Sequence, residues 1–88
     1  MAKKKLTYGR NWKAKKEGTF GQRLSYWILK RDVKLVSIRL ATGISEPSIS
    51  LWANDKVIPQ SDNLRKLCNF LKIEEKWLDA EFSFKDLK

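Results

Sequence analysis

The sequence of 88 residues contains no histidine and only one cysteine, Cys68. A disulfide within the chain is therefore excluded, and zinc binding is disfavoured because zinc sites combine several Cys, His or carboxylate ligands. A small chain without a disulfide framework fits the reducing cytoplasm, where we expect the protein to be located. Cys68 falls on the apolar stripe of a predicted helix and is interpreted as a core residue. We expect neither a metal nor a cofactor.

Long hydrophobic runs are also missing. No run approaches the roughly 18 apolar residues of a membrane span, and no apolar stretch of a secretory signal follows the basic N-terminus. We therefore predict no membrane partner. Catalytic groups are equally scarce, since a nucleophile needs an adjacent base and the neighbouring carboxylates of Glu74 and Glu75 diverge on a helix. We predict that the protein is not an enzyme.

Negative charge is absent from the start of the chain. Residues 1–16 hold seven basic side chains and no acidic one, whereas residues 17–88 hold 12 basic and 10 acidic side chains. We expect a flexible basic arm over residues 1–18, part of which could be pinned to the body by one or more of Leu6, Tyr8 and Trp12. Such an arm suits the phosphate backbone of nucleic acid, and the alternative is a solubilising tail.

In the rest of the chain, apolar residues recur at the spacing typical of amphipathic helices. Thr19 and Gln22 form a T-x-x-Q capping box at the first helix, and Gly43 stands where the second helix should stop. Ser45 is suited to cap the third helix, and Ser61 or Asp62 the fourth. The predicted helices cover residues 19–31, 35–42, 45–54, 61–71 and 74–80, followed by a tail over 81–88.

The tryptophans and arginines of this body have plain structural interpretations. The three tryptophans on helical stripes are interpreted as core residues rather than stacking platforms, and the arginines within the helices as surface charges. The phenylalanines of the tail either fray or pack against a partner chain. These residues are Trp27, Trp52 and Trp77, then Arg23, Arg31 and Arg65, and finally Phe82 and Phe84.

Two short helices joined by a turn containing glycine indicate a helix-turn-helix, centred on residues 35–54. The stretches ATGISEPSISLWAND (41–55), IP (58–59), NLRKL (63–67) and LKIEEKWL (71–78) occur in this order. Together they resemble the lambda-repressor-like (Cro/repressor) helix-turn-helix domains of phage repressors and bacterial regulators. The resemblance covers residues 20–81. It implies an all-α, compact five-helix DNA-binding domain at 19–80.

The resemblance also implies a function and a set of contacts. The protein would be a transcriptional repressor that binds double-stranded operator DNA as a homodimer, with residues 45–54 in the major groove. Base edges would be read by Glu46, Pro47 and Ser48, with Ser50 and Leu51 as further candidates. Backbone contacts are expected from Ser45, Asn54, Lys56, Gln22 and Arg39, and from Lys3, Lys4 and Lys5 of the arm.

Three positions depart from the family pattern. Leu35 replaces a glutamine that supports a phosphate contact, Asp55 replaces a common glycine, and Arg39 replaces a small residue at the helix crossing. Arg39 must therefore lean outward, or the helices must cross at a greater distance. No arginine or glutamine falls on the predicted reading face, whereas Glu46 could accept from cytosine N4. We expect moderate base discrimination, with much of the affinity coming from the arm.

Other functions remain open at this stage. An antitoxin that regulates its own operon would use the same motif and bind its toxin through the tail. A protein-interaction adaptor would keep the fold without reading DNA. Dimerisation could use the fifth helix and the tail, around Trp77, Phe82 and Phe84. Either a stand-alone regulator or the DNA-binding part of a protein with a C-terminal oligomerisation domain fits the sequence.

Overall fold

The computed structural model describes residues 12–86, and this part of the chain is helical without strands. The expected all-α class is confirmed. No helix within the described range is long and apolar enough to cross a bilayer. The α-helices are α1 (Phe20–Lys30), α2 (Leu35–Thr42), α3 (Glu46–Ala53) and α4 (Ser61–Leu71), and two 3-10 turns follow at Glu75–Leu78 and Phe84–Asp86.

The ends of the first three helices are set by local hydrogen bonds that the sequence predicts. At α1 the backbone N–H of Gln22 donates to Thr19 Oγ1 (3.2 Å), and the backbone N–H of Thr19 donates to Gln22 Oε1 (2.9 Å). Gly43 ends α2 in the left-handed conformation, with φ at 82°. The hydroxyl oxygen of Ser45 accepts from the Ser48 amide at 3.3 Å. Both capping predictions are confirmed.

The start of α4 differs from the prediction. Its N-cap is Gln60, whose side chain makes no capping bond, and Ser61 is already helical. The preceding Pro59 is buried and anchors the loop, and Gln60 follows in extended conformation. Asp62 instead pairs with Arg65 one turn later, at 3.3 Å. The proposed cap by Ser61 or Asp62 is therefore wrong.

The predicted fifth helix is a short 3-10 turn, Glu75–Leu78. Around its end the Trp77 and Ala80 carbonyl oxygens accept hydrogen bonds from the Arg23 guanidinium, at 3.3 and 3.1 Å. The Glu81 backbone amide donates to Asp79 Oδ1 at 2.9 Å. This bond closes a turn, and the amide does not make a helical bond to a backbone carbonyl. The five-helix count is corrected to four α-helices within residues 12–86.

The core lies where α1 packs against α3 and α2 packs against α4. Trp27 and Trp52 are buried in it, as expected, whereas Trp77 is half-buried and stacks on Trp27 at 5.2 Å between ring centroids. Cys68 is a core residue, and burial together with the negative charge of Glu75 raises the pKa of its thiol to about 12. The fully buried aliphatic residues are Leu24, Ile28, Ile38, Ile49, Leu67, Leu71 and Leu78.

Arg23 is not the surface charge that the sequence suggested, because only 3% of it is exposed. Its guanidinium donates to three backbone oxygens, those of Gly18, Trp77 and Ala80. These bonds replace water around a buried cation, which would otherwise be costly to desolvate. Arg31 stays exposed but donates to the Leu71 carbonyl oxygen at 2.9 Å.

The segments on either side of the helices meet on the surface of α1. Trp12, one of the three residues expected to pin the arm, is buried, whereas Leu6 and Tyr8 lie outside the described residues. The Lys15 backbone amide donates to the Gln22 carbonyl oxygen at 3.0 Å. The Phe84 amide donates to the Glu17 carboxylate at 2.8 Å. The Phe84 ring lies 6.2 Å from the Trp27 ring, so this tail residue has a partner within its own chain.

Candidate nucleic-acid interface

The outer surface of α2 and α3 forms an open groove of about 450 Å³. Both helices are short, and the buried Ile44 holds the turn between them against the core. On α3 the buried side is formed by Ile49, Trp52 and Ala53. The opposite side is therefore available to a ligand. The groove is lined by Leu35, Arg39, Ser45, Glu46, Pro47 and Ser50.

Every predicted reading residue on α3 lies outside the core. Pro47 and Leu51 are exposed, Leu51 to 45%, and Ser48 and Ser50 are half-buried. The Ser45 hydroxyl donates to Ser48 Oγ at 2.8 Å, so these two hydroxyls form one unit at the start of the helix. The outer side of α3 thus carries small polar and apolar groups, without bulky side chains that would keep the helix out of the major groove of a DNA duplex.

Arg39 and Glu46 meet at the groove. Arg39 Nε donates to Glu46 Oε2 at 3.2 Å, and the two side chains are 46% and 41% exposed. Arg39 leans outward, as one of the two expected alternatives required. The sequence did not predict this ion pair, because the two residues come from different helices. Leu35 is 6% exposed and packs in the core, where it offers no hydrogen-bond donor.

A second, smaller notch of about 150 Å³ lies where α3 ends beside the start of α1. It brings together Lys13, Gln22 and Asn54, which can donate hydrogen bonds to an anion. One Asn54 amide hydrogen is already used, since Nδ2 donates to the Ser50 carbonyl oxygen at 2.9 Å. Lys13 was expected only as one of the arm's charges, and no periodicity in residues 12–18 could have placed it here.

Asp55 occupies the N-terminus of α1 beside this notch. Its carboxylate accepts from the Thr19 hydroxyl (2.5 Å) and the Gly21 amide (2.8 Å). The N-terminal amides of a helix favour negative charge, so the Asp55 carboxylate occupies a position at which a phosphate group could otherwise bind. This residue has a left-handed backbone, with φ at 60°, which explains why glycine is common at its place in the pattern.

The arrangement of these elements is found in solved structures. The chain is similar to the P22 c2 repressor protein in complex with synthetic operator 9T, with a TM-score of 0.66 and 22% identity over 73% of this chain and 97% of that chain. It is also similar to the NMR structure of the DNA-binding domain of the P22 c2 repressor, with a TM-score of 0.65 and 22% identity over 70% and 82%. The chain therefore shares the fold of the P22 c2 repressor DNA-binding domain. Neither protein-family models nor curated proteins give a match.

Within this fold, the candidate backbone contacts are spread around α3. Ser45 and Asn54 are exposed at its two ends, and Lys56 is exposed in the loop that follows. Gln22 and Asn54 come together in the smaller notch, whereas Arg39 lies at the larger groove. Lys3, Lys4 and Lys5 lie outside the described residues.

Proposed function

We propose that this protein is a sequence-specific DNA-binding regulator of transcription, of the repressor type, that acts in the cytoplasm. The observation that carries the proposal is the outward side of α3, where Ser45, Pro47, Ser48 and Leu51 are free of core packing on a lambda-repressor-like fold. In a helix-turn-helix, the N-terminal part of the second helix contacts base edges in the major groove.

We further propose that the protein binds a palindromic operator as a homodimer. Half-sites in such operators are about 34 Å apart, and the domain measures 34 × 31 × 23 Å along its principal axes. Two copies on one face of the duplex would therefore touch. Val57 and Ile58, in the loop after α3, are 47% and 64% exposed and supply an apolar contact there. Phe84 is a poorer candidate because it packs within its own chain.

The direct test is a mobility-shift titration against the DNA upstream of the protein's own gene. With excess nonspecific competitor at about 150 mM salt, we expect a discrete complex that survives. Loss of that complex under competitor would contradict sequence-specific binding.

The contribution of the arm is tested by deleting residues 2–11, which removes Lys3, Lys4, Lys5 and Arg10 but spares the buried Trp12. Each phosphate contact adds about 0.9 to the slope of log K against log salt, so a flatter dependence and weaker binding are expected. A control that changes only Lys3, Lys4 and Lys5 to glutamine should reproduce most of the effect. An unchanged slope would show that the arm does not contact the backbone.

A second function, a protein-interaction adaptor, is favoured by the acidic groups at this surface. Glu46 lies in the groove and Asp55 at the start of α1, and both would repel phosphate. The same titration separates the two functions, since an adaptor would give no discrete complex with any duplex.

A further inference from the structure

The contact between Arg39 and Glu46 differs from the other ion pairs in the described part of the chain. Arg65–Asp62 lies within α4, and Lys76–Glu74 joins near neighbours at the first 3-10 turn. Arg39–Glu46 joins α2 to the first turn of α3, at the mouth of the groove. A pair so exposed adds little to folding stability, so its position invites an explanation in terms of binding.

We propose that Arg39 and Glu46 act as one unit that recognises a G·C base pair in the major groove. Arg39 donates from its two Nη groups to guanine O6 and N7, and the free Glu46 Oε1 accepts from the N4 amino group of the paired cytosine. This inference rests on the proposed function and names the base pair that the same site selects.

The hydrogen-bonding groups needed for this contact are available. A guanidinium has five N–H donors, and among residues 12–86 only the Nε donor of Arg39 is engaged. Its Nη groups remain free for the fork-shaped contact with guanine. Glu46 Oε1 is likewise without a hydrogen-bond donor within the described chain, and cytosine N4 is a donor in the major groove.

The pair also explains how an acidic residue can be tolerated in a DNA-binding groove. Glu46 alone would be repelled by phosphate, and Arg39 alone would bind phosphate anywhere along the duplex. Together they are neutral, which lowers the attraction to backbone and leaves the directional contacts to bases. Glu46 also fixes the guanidinium, so Arg39 loses less side-chain freedom when it binds.

The surroundings of the pair strengthen this preference. Pro47 and the side of Leu35 that faces the groove are apolar, and Ser50 lies beside them. A duplex seated on this surface would displace water from around the pair. Hydrogen bonds to bases are stronger in such a water-poor setting.

The test uses the full chain and a pool of randomised double-stranded DNA. Duplexes selected by the natural protein are resynthesised with every single base-pair change, and Kd is measured for the natural protein, Arg39→Gln, Glu46→Gln and the double variant. We expect one G·C pair per half-site at which a change to A·T weakens natural binding by about 5- to 150-fold. Arg39→Gln should abolish this preference, and Glu46→Gln should reduce it.

The double variant and two controls make the result specific. At the critical base pair, the double variant should show no less preference for G·C over A·T than Arg39→Gln alone, because the two residues act as a unit. Arg39→Lys keeps the charge but not the planar fork, so it should retain only part of the preference. Arg65→Gln removes the same charge from an exposed pair on α4 and should leave base preference unchanged.

Three results would overturn the inference. If Arg39→Gln retains the natural base preference, the pair does not read bases, although the proposed function stands. If Arg39→Gln weakens all duplexes equally, Arg39 contacts phosphate instead. If the natural protein enriches no sequence, the proposed function and the inference both fail.

Discussion

At the scale of single residues, two aspartates show how the same backbone strain can serve different ends. Asp32 and Asp55 both have a positive φ, at 55° and 60°. Only Asp55 uses its carboxylate, which accepts hydrogen bonds from Thr19 and Gly21 at the start of α1. Hydrogen bonds to a charged group contribute about 1.5–3 kcal/mol, which exceeds the strain of a left-handed aspartate.

Asp55→Gly should therefore lower the free energy of unfolding by about 1–2 kcal/mol, because lost hydrogen bonds outweigh the relieved strain. The matched control, Asp32→Gly, relieves similar strain without losing such bonds and should be neutral or slightly stabilising. Urea unfolding of both variants gives the comparison. Equal effects of the two changes would mean that the Asp55 carboxylate does not stabilise α1.

Cys68 makes a prediction about pH. Burial holds the pKa of its thiol at about 12 in the folded protein, whereas an unfolded cysteine titrates near about 8.5. Below that lower pKa both states keep the proton, and Cys68 adds no pH dependence. At higher pH only the unfolded state loses the proton, so stability should fall until the folded pKa is reached.

The measurement is urea unfolding from pH 7 to pH 11, compared with Cys68→Ala. Other groups titrate in both proteins, so the difference between their two pH profiles isolates the thiol. We expect the natural protein to lose more stability than the variant above about pH 8.5. Parallel profiles throughout would contradict a raised thiol pKa.

At the scale of helices, the sequence predicts the elements whose ends are set by neighbouring residues, but not the features that depend on contacts between distant residues. The caps by Thr19 and Ser45 and the stop at Gly43 depend on residues within one turn, so the sequence predicts α1, α2 and α3 well. The prediction of a fifth helix was wrong, and at that place the carbonyl oxygens of Trp77 and Ala80 accept from Arg23, which is 54 and 57 residues away and outside the reach of any local pattern. The ion pair between Arg39 and Glu46 was not predicted either, since the two residues lie on different helices.

The crossing of α1 and α3 depends on Gly21. A Cβ atom at this position would lie 2.5 Å from the Ala53 carbonyl oxygen and 2.8 Å from the Asp55 carboxylate. Replacing glycine by alanine inside an exposed helix normally stabilises it by about 1 kcal/mol. Here we expect Gly21→Ala to destabilise by roughly 1–3 kcal/mol, because backbone atoms must move apart.

Gly43 provides the comparison, since a Cβ atom there meets nothing within 4 Å and the only obstacle is a φ of +82°. Asparagine tolerates this backbone, so Gly43→Asn should remain close to natural stability. Gly21→Asn should be at least as damaging as Gly21→Ala. Thermal unfolding of all three variants tests the distinction, and a stabilised Gly21→Ala would show that the two helices are not in close contact.

At the scale of the whole molecule, the segments before and after the helices are held together at one place. Phe84 lies 6.0 Å from the Trp77 ring, and the Lys16 ammonium lies 4.8 Å from the Phe84 ring centroid. The Phe84 amide binds Glu17. The sequence left the tail either frayed or packed on a partner chain, because neither segment has a periodic pattern to pair it with the other. Trp12 is also buried against the body, so the chain before α1 is held at more than one point.

Phe84→Ala tests whether this contact is made within one chain. Because the ring is only half-buried, we expect a loss of about 1–3 kcal/mol, less than for a core phenylalanine. The indole N–H groups of Trp27 and Trp77 have no acceptor within residues 12–86, so water admitted by the change should shift tryptophan emission to longer wavelength. A contact within one chain predicts the same loss at every protein concentration. A loss that grows with protein concentration would instead place Phe84 in an interface between copies.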